Sequence, residues 1–489
     1  MLFNSHIFML LFLPLLLAGW YFLNWKKKFQ LAQGYLIGMS LWFYAYANLQ
    51  YLWLLLFSCL IGWLLSCLPE KISSEKGKKV LTGVGCVFHL GLLGYFKYSN
   101  FFLENLNTAF HTDFPMLQIL LPVGISFYTF QQLAYLIDRC RGDAPRDSFF
   151  DYLTFMVYFP QLLQGPILLR SEFMEQLKEP ERRRFHAERF SEGIQFFVFG
   201  LAKKVLLADT LAKAVNYGYS NVSMLDSISA LLLAVGYLTE LYFDFSGYCD
   251  MAVGLGKMIG LEVAENFDAP FHSASVKEFW RRWHMTLGRF FTRYVYIPLG
   301  GNRRGKMRTL CNVMIVMLLS GLWHGAAWTF VLWGFLHGVG MIWDNLEHPH
   351  LPKKWMRQAA TFAYVCMTFV FFRAESIAQG VDVLKSIVSL KWNGFVFQMA
   401  SALDLTEFYM ITKALSMKLP GLLSWFWLGI FVVLIAICFR VLSGEKVSGV
   451  VALQRQKGYG RLYPVLLAVL FTWSMISMTG VSEYLYFSF

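Results

Sequence analysis

The chain has 489 residues, of which 57% are hydrophobic, 18% aromatic and only 15% charged. Soluble domains carry about 25% charged residues, so a soluble globular enzyme is excluded. The formal net charge of +12 is the excess expected of basic cytoplasmic loops, and it calls for no nucleic-acid partner. Apolar residues arrive in unbroken blocks of about 17–25, the length that crosses a bilayer as a helix, and the blocks recur from Ile7 to Met478. Continuous runs also exclude a transmembrane β-barrel, whose strands alternate apolar and polar residues.

In chain order, spans are expected at about 7–25, 30–48, 51–68, 80–97, 117–137, 190–207, 228–246, 309–323, 326–345, 359–372, 422–440 and 462–480. The fold class is therefore an all-α polytopic membrane protein with about 11–12 transmembrane helices plus re-entrant segments. The first run lacks a basic n-region and a small-residue cleavage site, which favours a retained helix over a signal peptide. Segment 148–169 is apolar but holds Pro160, Gly165 and Pro166, which break a helix. It is expected to be re-entrant and buried, because irregular backbone at membrane depth must be covered by protein. The eight cysteines lie scattered, with no CxxC or Cys/His spacing of a metal site, so neither a disulfide framework nor a metal is expected.

The basic loops are Lys26 to Lys28, Lys71 to Lys79, Arg139 to Arg146, Arg170 to Arg189, Lys277 to Arg308, Lys353 to Arg357 and Arg440 to Arg461. Segment 98–115 has no Lys or Arg, and 208–227 has only Lys213. Basic loops stay in the cytoplasm, which puts both termini outside. This alternation holds only if 148–169 enters and leaves on the cytoplasmic side.

The most unusual stretch carries Leu241-Tyr-Phe-Asp-Phe-Ser-Gly-Tyr-Cys-Asp250, Glu265-Asn-Phe-Asp-Ala-Pro-Phe271 and Glu278-Phe-Trp-Arg-Arg-Trp-His284. Nine basic residues between Lys277 and Arg308 face one acid, Glu278. That patch reads equally as a topology anchor and as a site for a polyanion, since Arg forks bind phosphate. Further on, Ser320-Gly-Leu-Trp-His-Gly-Ala326 sets His324 between two apolar spans. An ionisable residue at membrane depth is by default a functional candidate, and the alternative is an interhelical hydrogen bond. His337 lies near the same helical face, where the structural reading is stronger. The glycines around His324 permit close helix packing and leave space beside the imidazole. No HxxxxD and no GxSxG occur, and Gly254-Leu-Gly-Lys-Met-Ile-Gly260 has the wrong spacing for a dinucleotide fingerprint.

These residues resemble the membrane-bound O-acyltransferase (MBOAT) family, in its bacterial branch typified by the alginate O-acetylation membrane protein. The resemblance runs through Met1-Leu-Phe-Asn-Ser5, Gly94-Tyr-Phe-Lys-Tyr98, Leu121-Pro-Val-Gly-Ile-Ser-Phe127 and Phe159-Pro-Gln-Leu-Leu-Gln-Gly-Pro166. It continues in Tyr242-Phe-Asp-Phe-Ser-Gly-Tyr248, Phe279-Trp-Arg-Arg-Trp-His284, Leu299-Gly-Gly-Asn-Arg303, Gly321-Leu-Trp-His-Gly325 and the aromatic tail. It is loose between about residue 350 and that tail. The family implies a core with a central tunnel and transfer of an acyl group from a cytoplasmic thioester to a hydroxyl. It implies one domain over 1–489, with N-terminal helices 1–137, a catalytic core 138–345, and C-terminal helices and tail 346–489.

By this resemblance His324 falls on the catalytic histidine and His284 on a second, cytoplasmic-side histidine. An imidazole suits the base role, because its pKa of about 6.5 lets it take a hydroxyl proton at neutral pH. Arg281, Arg282, Trp283, Arg303 and Arg304 would meet the donor, acetyl-CoA or an acyl-carrier thioester, with no bound cofactor. Asp244, Asp250 and Asn266 would orient groups in the tunnel or simply make structural hydrogen bonds. Acetylation of an extracytoplasmic polysaccharide is expected, in a bacterial cytoplasmic membrane, with an extracytoplasmic acetyltransferase partner and membrane lipids as neighbours. The alternatives are D-alanyl transfer to teichoic acid and, in a different class, a lipid-linked sugar transporter. The tail Tyr484-Leu-Tyr-Phe-Ser-Phe489 reads either as an interfacial aromatic belt or as an acyl relay on Tyr486.

Overall fold

A computed structural model describes residues 1–346, 352–442, 444, 446–458, 460, 462–478 and 484–485. Among these residues the fold is all helix and turn, with no strand. Each of the twelve expected spans falls on a helix. Among the described residues, six helical stretches are by themselves long and apolar enough to cross a membrane: Phe8–Trp25, Leu49–Lys71, Glu75–Phe110, Ser227–Ile259, Lys306–His324 and Pro420–Leu442. The chain is a multi-pass membrane protein.

Several boundaries differ from the sequence reading, and one of them is the span expected to end near 97, which runs on to Phe110. The span expected from 117 begins only at Ile125, because Pro122 cannot sit inside a helix and Gly124 takes a left-handed turn at φ 78°. The span expected to end near 246 runs on to Ile259 as one 33-residue helix, so the Tyr242–Asp250 motif is helical. At 1.5 Å per residue this helix is about 50 Å long, well beyond a hydrocarbon core of about 30 Å. Its start is fixed by Asp226, whose carboxylate accepts from Ser229 N at 2.8 Å and from the Asn393 and Gly394 amides at 3.1 Å.

This central helix organises the molecule, and 78% of its apolar window is buried. The Ala187–Ala202 helix lies against it through facing glycines. A Cβ on Gly254 would stand 2.5 Å from Gly193 O, and one on Gly200 would stand 2.5 Å from Gly247 O. Small residues at both crossings let the backbones touch, the usual source of helix association where no hydrophobic drive exists in lipid. Gly254 therefore serves packing. Lys306–His324 and Trp328–Asn345 form a second tight pair, with Gly321 and Gly334 at their crossing.

Segment 148–169 is buried and irregular, as expected. Helix Phe149–Val157 breaks at Tyr158, a four-residue turn Phe159–Leu162 follows, and 163–169 is non-helical. Its backbone is satisfied by protein groups: Ile167 N donates to Thr286 Oγ1 at 3.0 Å, and Ile167 O accepts from Arg289 Nη2 at 3.1 Å.

Candidate active site

His324 is the last residue of Lys306–His324, and Gly325 turns the chain away with extended backbone. Helix ends leave carbonyls unpaired, and here a distant segment caps them. Tyr98 Oη donates to Leu322 O at 2.6 Å, while Lys97 Nζ donates to Trp323 O at 2.7 Å and to His324 O at 2.9 Å. Both donors come from the π-helical turn Gly94–Tyr98. The buried His324 ring is walled by Trp323, Trp333 and Phe372, with ring centroids 5.0–5.2 Å away.

The His284 ring lies 6.4 Å from that of His324. His284 joins two short helices, Val276–Arg282 and Met285–Phe291, with left-handed backbone at φ 47° and ψ 51°. This geometry costs a non-glycine residue about 1–2 kcal/mol. The flanking chain holds it: Met285 N donates to Asn266 O at 3.0 Å, and Asp268 N donates to Arg282 O at 2.9 Å. Asn266 Oδ1 accepts from Thr286 N at 3.1 Å and faces His284 Nδ1 at 3.2 Å. An oxygen acceptor there assigns the imidazole proton to Nδ1 and leaves Nε2 as the basic nitrogen. Burial pushes the His284 pKa down to about 3, so the ring is neutral at physiological pH.

Two cavities approach this histidine pair from different sides. One, of about 430 Å³, runs from Lys277, Arg281 and Arg289 to Met317 and Ser320, one turn before His324 on the same helix. The other, of about 50 Å³, is lined by Leu121 to Phe127, Lys97, Leu163, Trp323 and His324 itself. His324 thus lines the small cavity, and the larger basic-mouthed one reaches Ser320, one helical turn before it.

A family model described as the membrane-bound O-acyltransferase family matches residues 144–379, a stretch that includes both histidines. A peptidoglycan O-acetyltransferase of Helicobacter pylori is 35% identical over 423 residues, 80% of each chain. This chain belongs to the membrane-bound O-acyltransferase family. Membership makes it an acyltransferase, and the transporter alternative falls away. A probable alginate O-acetylase AlgI of Azotobacter vinelandii is 40% identical over 389 residues, 77% of this chain and 76% of that one. A teichoic acid D-alanyltransferase of Streptococcus thermophilus is 28% identical over 253 residues, 49% of this chain and 58% of that one.

The other residues singled out in this acyltransferase fall in different places. Arg281 lines the 430 Å³ cavity, together with Lys277 and Arg289, which the sequence reading did not single out. Arg282 pairs with Glu278 at 2.9 Å, and Trp283 is buried among Phe267, Phe279 and Phe369. Arg303 and Arg304 sit exposed on the 298–304 turn, away from both cavities. Asn266 touches His284, whereas Asp244 pairs with Lys204 at 2.5 Å and Asp250 with Lys203 at 2.6 Å. His337 makes structural hydrogen bonds, receiving one from Trp280 Nε1 at 3.2 Å and lying 3.0 Å from Thr368 Oγ1. A third cavity, of about 990 Å³, lies beside the central helix and touches Asn266 and Asp250 but neither histidine.

Lys97 was missed. Its signal was present, since a lysine in an otherwise apolar run is costly at membrane depth. Tyr486 lies outside the described residues. Its neighbours do return to the core: the Leu485 N–H donates to Asp244 Oδ2 at 3.0 Å, and buried Tyr484 stands edge-on to Tyr248 beneath the Lys204 ammonium.

Proposed function

We propose that the protein moves an acetyl group from a cytoplasmic thioester, acetyl-CoA or an acyl-carrier pantetheine, to O-acetylate an extracytoplasmic polysaccharide. The observation that carries this reading is the place of His324, on the wall of a small cavity and one helical turn from Ser320, which lines a larger basic-mouthed one. The larger, with Lys277, Arg281 and Arg289 on it, suits a phosphate-bearing donor that threads its thioester towards Ser320. The smaller suits a hydroxyl.

In the step proposed, His324 takes the hydroxyl proton while the oxygen adds to the thioester carbonyl carbon. The carbon–sulfur bond then breaks, and the leaving sulfur takes that proton back as a thiol. His284, neutral and held by Asn266, positions the donor end of the site. Acetyl is favoured over D-alanyl because the O-acetylating relatives match more of the chain at higher identity. The location proposed is a bacterial cytoplasmic membrane, and the partner proposed is an extracytoplasmic acetyltransferase. Positive-inside counting puts the C-terminus outside.

Tyr486 is the proposed acyl carrier between His324 and that partner. A phenol, with a pKa of about 10, is a better leaving group than a sugar hydroxyl, so its ester can pass the acetyl onward. Purified protein given radiolabelled acetyl-CoA or a D-alanyl carrier protein tests the donor. Turnover of acetyl-CoA, lost in His324→Ala, is the expected result, and turnover of the D-alanyl thioester alone overturns it. Tyr486→Phe removes the accepting hydroxyl of the relay and should fail to acetylate glycan in cells; normal glycan acetylation overturns the relay.

A further inference from the structure

We infer that Lys97 is a positioning residue for His324, and this rests on the acyl-transfer reading above. Its ammonium sits in the run Glu75–Phe110, one of the six membrane-crossing stretches, where a cation is expensive. Among the described residues no carboxylate pairs with it. It donates instead to two successive peptide carbonyls, those of Trp323 and His324. These are the negative end of a helix dipole, the place where a cation is most favoured without a counter-ion. Tyr98 takes the carbonyl before them. Three consecutive carbonyls, 322 to 324, are therefore held from one side by one π-helical turn.

The consequence falls on the imidazole. Gly325 follows at once in extended conformation, so the peptide of His324 has helix on one side only. A helix end of this kind frays unless its carbonyls are satisfied. Clamping the peptides at 323 and 324 sets the direction of the His324 Cα–Cβ bond, and with it the place of the ring on the small cavity. Tyr98 alone would satisfy one carbonyl; the lysine satisfies two more, at Trp323 and at His324, the residue that carries the ring. It is also the one charged side chain, among the described residues, on the small cavity that His324 lines.

Steady-state acetyl-CoA turnover by the purified full chain tests this, with wild type, His324→Ala, Lys97→Met, Lys97→Arg and Tyr98→Phe compared at matched purity and thermal midpoint. Misplacing a catalytic group by about 1 Å costs roughly 100-fold, so Lys97→Met should lose about that much kcat with donor KM unchanged. Lys97→Arg, which keeps a charge and several donors, should recover a good part of the loss. Tyr98→Phe, which removes one bond of the same clamp, should lose kcat less steeply, again without a KM effect. If Lys97→Met does not fold, the Tyr98→Phe and Lys97→Arg kinetics decide alone. An active wild type, a dead His324→Ala and undiminished kcat in the clamp variants overturn this inference only. A change confined to KM overturns it as well, by making Lys97 a donor contact. A wild type that turns over no thioester overturns the acyl-transfer reading and this inference with it.

Discussion

Asn266 and His284 are joined side chain to side chain, with Asn266 Oδ1 3.2 Å from His284 Nδ1, although 18 residues separate them. The same oxygen accepts from both the backbone and the hydroxyl of Thr286, at 3.1 and 3.0 Å. One buried amide thus fixes the ring, its proton and the start of the next helix. Loss of a buried hydrogen bond that leaves its partner unsatisfied costs about 1–3 kcal/mol. Asn266→Ala should therefore reduce kcat about tenfold or more, while Asn266→Asp, which keeps an acceptor oxygen, should reduce it less. Steady-state donor turnover by the two variants checks the order.

Arg281 lines the 430 Å³ cavity, whereas Arg303 and Arg304 stand off it. Arg281→Glu should raise donor KM several-fold at low salt and by less at high salt, because exposed charges are screened beyond about 10 Å at 0.1 M. The double reversal Arg303→Glu/Arg304→Glu should change donor KM little. Donor titrations at two ionic strengths separate the pairs.

Gly254→Ala sets two effects against each other. Helix propensity favours alanine by about 1 kcal/mol. The added Cβ, however, would lie 2.5 Å from the backbone oxygen of Gly193, which has no flexible end to move aside. Overpacking costs about 1–3 kcal/mol, so the variant should be less stable on balance. A lower thermal midpoint in detergent than wild type is the expected reading.

His284 should make the protein acid-sensitive. Its folded pKa is depressed to about 3, while an unfolded histidine titrates at about 6.5. Below about pH 6.5 the unfolded chain gains a proton that the native site refuses, so stability is full above that pH and falls as pH drops towards 3. At pH 5 the loss is on the order of 2 kcal/mol. Thermal midpoints measured from pH 7.5 to 5 should fall more steeply for wild type than for His284→Gln, which cannot titrate.

Much of this protein is legible one residue at a time. Charge scarcity and unbroken apolar runs determine a polytopic helical membrane protein, because only a helix satisfies its own backbone in lipid. The same logic picks out His324, an imidazole whose placement between apolar spans has to be explained. The Lys277–Arg308 patch is also plain as a patch, but not which of its arginines faces a cavity. Periodicity reports which residues are apolar and is silent on where a turn aims a guanidinium.

Tertiary structure decided the rest. The cap on the His324 peptide comes from Lys97, 227 positions earlier, and no local pattern predicts a partner at that distance. Trp283, expected to meet the donor, lies buried among Phe267 and Phe279, since aromatic side chains serve binding or packing and only their neighbours distinguish the two. Asp244 pairs with buried Lys204 and Asp250 with half-buried Lys203, both on the π-turn Lys203–Ala208, whereas Asn266 reaches a histidine. The three were equivalent in the sequence. They differ because the glycine crossings bring the Ala187–Ala202 helix and the π-turn after it onto one face of the central helix, and buried charges must find the partners that packing supplies.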